Sequence, residues 1–413
     1  APVIFASISN SNAGLNDVVA IFSTDGGGND TEEPSPHWVI SVEGVTRYWV
    51  AASDGDWTDN NNWATTSGGA PGVSFPTAGY KAVFDGGSDA NCTLMQNVTG
   101  TEIEITVDYD GEINANGYDI SLSGSNFMIP SGTVTLPAGS DLSMTGPGAF
   151  LGISGGTLNA SAGTITLQGG VSLGSGTFSA PSGTMTIGAG FIHSGGTFIH
   201  NSGKVIFNGS SAFYSAIGDP FYNVQIGTAT QGGTLSLSSN IYLDGSLSVL
   251  NGGNTVLTMT SRQFFVKGDV DLTNLDTLNA AGSRFVFQGT SNLTSAGKRP
   301  YDVQVGSSTL GGSLRVVDDL DLDGSLLVGA TTEATSLDIS SRTVWVARAI
   351  ALSGLDTLTA TGSTVVMDGT LGVSLTAPAV SWATLLAVSF ACAARRCTSG
   401  SSATWRAVRS SDS

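Results

Sequence analysis

A Gly-Thr pair followed by an apolar residue returns every twenty positions in the middle of this chain, as Gly156-Thr157-Leu158, Gly176-Thr177-Phe178 and Gly196-Thr197-Phe198. A second set, Gly163-Thr164-Ile165, Gly183-Thr184-Met185 and Gly203-Lys204-Val205, keeps the same step. Two short alternating segments with glycine-rich corners, repeating in phase, describe one supersecondary unit per period. Such a unit cannot bury its apolar face alone, so copies must stack. The expected fold is all-β, a right-handed parallel β-helix or β-solenoid with coils of about twenty residues. Strand side chains alternate, so Ile165 and Leu167, or Val205 and Phe207, point inward while Thr and Ser point outward. About thirteen coils would make a rod of roughly 60 Å.

A longer period lies over the first. The segments 197–209 (TFIHNSGKVIFNG), 277–289 (TLNAAGSRFVFQG) and 357–369 (TLTATGSTVVMDG) match at offsets of eighty. Between them, Asn223-Val224-Gln225-Ile226-Gly227 matches Asp302-Val303-Gln304-Val305-Gly306, and Asp244-Gly245-Ser246-Leu247 matches Asp323-Gly324-Ser325-Leu326. Eighty being four times twenty, the long repeat reads as a duplicated four-coil block.

Composition agrees with a repeat array and excludes several functions. The 413 residues include 56 Gly, and Gly and β-branched residues recur too often for long helices. The formal net charge is −18, and Arg47 and Lys81 are the only basic side chains in the first 200 residues, so the chain repels phosphate backbones and nucleic acid is not an expected partner. Three cysteines form no disulfide framework. No 18-residue apolar run is present, so membrane insertion is not expected, and the N-terminus lacks the basic and apolar regions of a signal peptide.

The repeats divide the chain into three zones. Residues 1–105 form an N-terminal β-rich cap or attachment region that holds Trp38, Trp49, Trp57 and Trp63. Residues 106–380 form the solenoid shaft. Residues 381–413 form a divergent tail carrying Cys392, Cys397, Arg395, Arg396, Arg406 and Arg409. The third long repeat holds to about Pro378, after which the sequence changes abruptly; a genuine cap, a basic docking tail or a shift of reading frame would each produce this.

Residues 48–84 (YWVAASDGDWTDNNNWATTSGGAPGVSFPTAGYKAVF), followed by Asn91-Cys92-Thr93-Leu94, resemble the W-x-G-x-W…N-W…P…V-x-F segment of adhesin-like proteins. In large bacterial surface proteins and phage appendages that segment leads into Gly/Thr-rich β-helical repeats. The resemblance covers about 40 residues and the general style of the coils. It implies a surface location and carries no catalytic residues.

Few residues suggest chemistry. Asp319, Asp321 and Asp323 have the opening spacing of a calcium loop, but Leu320 and Leu322 intervene and no closing Glu follows, so an outward acidic strand face is the simpler reading. Asp54, Asp56 and Asp59, beside Asn60–Asn62, are the better Ca2+ candidates because they occupy a turn; no other cofactor is implied. Parallel β-helices also host polysaccharide lyases and glycosidases, which need clustered carboxylates. Between 131 and 203 the only acid is Asp141, and the later acids sit at repeated turn positions, so no catalytic residue is assigned and no enzyme is expected. His193 and His200 flank the turn Ser194-Gly195-Gly196 and read as exposed turn residues. Trp49, Trp57 and Trp63 allow two roles: rings that seal an open solenoid end, or a platform that stacks on sugars.

Two functions fit. The first is a non-catalytic structural or adhesive shaft on a virion or bacterial surface, self-associating as a homo-oligomer and meeting surface glycans or other virion or cell-surface proteins. The second is a carbohydrate-binding or polysaccharide-degrading β-helix. Either belongs outside the cell.

Overall fold

A computed structural model describes residues 45–369 except 125, 161, 162 and 330, and, outside that span, 3–4, 7–11, 18–21, 24–25, 28–29, 31, 38–41, 374–376 and 389–392. The chain is an all-β parallel β-solenoid that divides into two compact units, 1–203 and 204–413. The tail arginines and Cys397 lie outside the described residues.

In the first unit the coils contribute parallel strands to three faces. One ladder runs Val98–Gly100, Ile120–Leu122, Leu142–Met144, Thr164–Leu167 and Thr184–Ile187. Its inward positions Ile120, Leu142, Ile165 and Met185 are buried, while Thr164 and Thr166 face solvent. Identical positions therefore stack into apolar columns, each covered by the coil before and after. Parallel in-register pairing is not confined to the repetitive stretch: Val18–Ile21 pairs with both Val3–Ile4 and Trp38–Ser41, and Glu102–Ile105 pairs with Tyr80–Phe84.

The twenty-residue step holds where its signature is strongest. Thr157, Thr177 and Thr197 are register partners in successive coils, as are Ile165 and Met185. Elsewhere the coils are longer: Ile113 pairs with Val134, Val98 with Ile120 and Val134 with Leu158. Corners cause the difference. In the tight coils one continuous strand, Phe150–Ala160, serves two faces and bends at Ser154, Gly155 and Gly156, where the register shifts and a Cβ on either glycine would strike the carbonyls of Pro130 or Ser131. Only glycine admits so close an approach. Coils whose corners are separate turns need more residues.

The same arithmetic corrects the long repeat. Lys204–Phe207 pairs with Asn223–Ile226 in one sheet, its repeat partner Arg284–Phe287 pairs with Gln263–Val266 in a second, and Thr364–Met367 pairs with Thr343–Val346 in a third. Eighty residues thus span eleven strand positions at three per coil, or three and two-thirds coils of about 22 residues, not four coils of twenty. Each repeat turns its motifs onto the next face. In both complete repeats one strand position is replaced by a proline-containing loop, 216–222 and 295–301; in the first a single bridge, Phe221 to Leu243, marks the vacated place. Pro220 and Pro300 cannot donate to a ladder, which suits them to that interruption.

His193 departs from expectation. It lies in strand Phe191–His193, pairs in register with Leu173 and is 1% exposed. Period-two alternation from Phe191 carries it inward, and the turn begins only after it.

Candidate functional site

The aromatic lead-in segment is a single enlarged coil. Val45–Trp49 pairs in parallel with Tyr80–Phe84, joining Val45 to Tyr80, whereas the next step joins Ala82 to Ile103. The extra residues fold back: Tyr48 and Trp49 pair antiparallel with Ala64 and Trp63, and Gly55–Asp56 pairs with Cys92–Thr93. This excursion drives Trp49, Trp57 and Trp63 inside, each no more than 1% exposed. Trp63 meets Trp49 edge-on at 5.2 Å and Trp57 at 4.9 Å, and Phe84 lies within 6.0 Å of all three. Their indole N–H groups donate to the carbonyls of Ala90 (2.8 Å), Pro76 (3.3 Å) and Trp57 (2.7 Å). Enclosed and satisfied, the rings fill the core of the coil that begins this sheet and present no open face to a sugar.

The turn carboxylates are committed separately. Asp54 accepts from the Asn91 backbone N–H at 2.9 Å and its side-chain amide at 3.1 Å. Asp59 caps the 3-10 turn Asn60–Asn62, taking the Asn61 N–H at 2.9 Å and its side-chain amide at 3.0 Å. Beside Asp56 it is the backbone carbonyl that is engaged, by the Asn62 amide at 2.9 Å. The Asp54 and Asp59 carboxylates serve different turns, and among the described residues no group of three or more His, Cys, Asp or Glu gathers around a common point. Asp319, Asp321 and Asp323 are also dispersed: Asp319 takes the Thr343 N–H at 2.8 Å, while Asp321 and Asp323 share Arg299 at 3.1 and 2.8 Å. Burial raises the Asp321 carboxyl; Arg299 opposes the rise, and the neighbouring Asp368 and Asp323 add to it.

The corner acids have a structural use. Asp119 takes the Asp141 N–H at 3.0 Å, and Asp141 takes the Thr164 N–H at 2.6 Å, each reaching one coil onward. Asp269 and Asp302 do the same for Asn292 and Ser325, whereas Asp318 reaches back one coil to Ser295. These carboxylates satisfy corner N–H groups that leave the ladder at a turn. In two repeat-related corners the acid reaches back one coil: Asp276 holds the N–H of buried Thr255, and Asp356 that of Thr335, both at 2.8 Å.

These Thr255 hydrogen bonds hold the Asp276 carboxyl below its usual value of 3.8. A folded pKa below the unfolded one contributes stability above the unfolded value, which is lost as pH falls through the folded value. Asp276→Asn should therefore melt below the parent protein at pH 7, and the gap should close as pH drops below about 3.8. A gap that is constant from pH 7 to pH 2 in parallel thermal melts would refute the assignment.

Cys92 is fully buried; burial pushes its thiol well up, with nearby Asp56 adding to the effect, so it is inert as a nucleophile. No protein-family model, curated protein or solved structure matches this chain.

Proposed function

We propose that this chain is a non-catalytic structural and adhesive shaft on the outside of a virion or bacterial cell, working as a homo-oligomer that meets surface glycans or other surface proteins. The supporting observation is where its ionisable side chains go. Acids that could have lined a cleft accept backbone N–H groups from adjoining coils, so the charge that keeps the surface soluble also stitches the stack. Long parallel ladders with committed corners make a rigid, repetitive spacer.

Light scattering should find an oligomer for the full chain at low salt, with the association weakened in a chain truncated after Ala377, because the arginines beyond it are attracted to the acidic body of a neighbour. A strict monomer in both cases at high concentration would sink the assembly claim. Turnover of a polysaccharide, abolished by one Asp or Glu substitution, would overturn the non-catalytic reading.

A further inference from the structure

The two strand-free loops have the same place in the long repeat but are held differently. In the second, Asp318 accepts the N–H groups of Ser295 (2.8 Å) and Ala296 (2.5 Å), and Arg299 pairs with Asp321 and Asp323, so the loop is pinned to the coils beside it. In the first, Ser239 stands at the place of Asp318, Asp219 at that of Arg299 and Tyr242 at that of Asp321. Ser239 takes the Ser215 N–H at 2.8 Å, and the Gly218 N–H turns back on the Ser215 hydroxyl at 3.0 Å. The Asp318 and Arg299 clamp of the second loop therefore has no counterpart of the same residue types in the first.

What remains is an open cleft of about 300 Å³ lined by Ser215, Ile217, Ser238, Asn240, Tyr242 and Arg262. Arg262 is exposed and makes no ion pair with a described residue, in a body of net charge −18. Asn240 spends its carbonyl on the Gln263 N–H at 2.9 Å, which fixes the side chain and leaves its amide N–H groups for a ligand. The Tyr242 ring lies flat on Phe265, centroids 4.6 Å apart and planes at 4°, so it is a rigid wall. Ile217, 50% exposed, supplies an apolar lip.

We propose that this cleft binds one carboxylate-bearing sugar residue of a glycan. The Arg262 guanidinium takes the carboxylate through parallel N–H donors, a geometry that suits it better than any other cation. The Asn240 amide and the Ser238 hydroxyl take ring hydroxyls, and Ile217 with the Tyr242 edge covers the C–H face. The volume lies at the small end of ligand sites and suits a single ring. Because the acidic body repels anions at a distance, charge alone does not hold a ligand here, and the neutral donors are required for affinity. The site rests on the adhesive part of the function proposed above and names its ligand class.

Calorimetric titration of the full chain with uronic-acid oligosaccharides, their neutral counterparts, acetate and inorganic phosphate tests the site. Saturable binding of the uronic-acid oligomer is expected, with the neutral oligomer and both simple anions at least about tenfold weaker. Arg262→Gln should weaken binding at least about tenfold without moving the melting temperature. Asn240→Asp should do the same: it keeps the acceptor that Asp319 supplies to Thr343 at the equivalent corner, so the fold has a precedent for it, and it sets a carboxylate beside Arg262. No saturable binding, equal binding of the neutral sugar, acetate or phosphate binding as tightly as the oligomer, or an Arg262→Gln protein that binds like the parent would each overturn the proposal. Chromatography of the titrated oligomer separates the two readings. Cleavage products would overturn the non-catalytic shaft and leave the site standing, whereas an intact but unbound oligomer would remove the site alone.

Discussion

Trp63→Ala is expected to destabilise the first unit by about 4 kcal/mol, the range for deleting a fully buried aromatic side chain. Trp63 is central to the cluster because it touches both Trp49 and Trp57 and packs against Phe84, and all four rings are essentially unexposed. Its removal opens a cavity in a coil whose core is those rings and also deprives the Trp57 carbonyl of its donor at 2.7 Å. In a repeat array the loss falls first on the coils that touch the site. Urea unfolding should show the decrease, and amide exchange should speed up in Tyr80–Phe84 and Glu102–Ile105 before it does in Thr164–Leu167. A loss below about 1 kcal/mol would mean that the cluster is not the core of this coil.

Gly146→Val is expected to cost about 3 kcal/mol, and Gly148→Ala only about 1 kcal/mol, although the two glycines lie two residues apart. A Cβ on Gly146 would be driven into the carbonyl of Gly124 on the preceding coil, so the two coils would have to separate locally. Gly148 has open space around it and is constrained only by its φ of 71°, which L-residues adopt at modest cost. Thermal melts of the two variants give the order directly. Equal effects, or the reverse order, would show that coil contact at this corner is looser than the structure has it.

The fold was largely legible because its strongest signal is local. Alternation placed Ile165 and Leu167 inside and Thr164 and Thr166 outside, and stacking of Thr157, Thr177 and Thr197 followed from their even spacing. The same alternation through Phe191 and Ile192 carries His193 inward, although the Ser194-Gly195-Gly196 turn starts at the next residue. The candidate site was less legible. Asp54, Asp56 and Asp59 are close in sequence, yet the partner of Asp54 is Asn91, which becomes its neighbour only because the enlarged coil returns there. Whether Trp49, Trp57 and Trp63 would be rings in a core or rings for a sugar depended on that same return.

Sequence by itself determined that the chain stacks parallel coils, which side chains enter the core, and that the repeats recur at eighty residues, since a two-residue alternation and a regular spacing are properties of consecutive positions. Tertiary structure alone decided the length of each coil and hence the face on which each motif emerges. A corner made by Gly155-Gly156 and a corner made by a separate turn differ by a few residues, and those differences accumulate until Lys204–Phe207 and Arg284–Phe287 lie in different sheets. It also decided that Ser239 and Asn240 from one coil and Arg262 from the next would line one cleft with Ser215 and Ile217. Neighbours across coils are set by register, and register is fixed by the packing of the whole stack, not by any one segment.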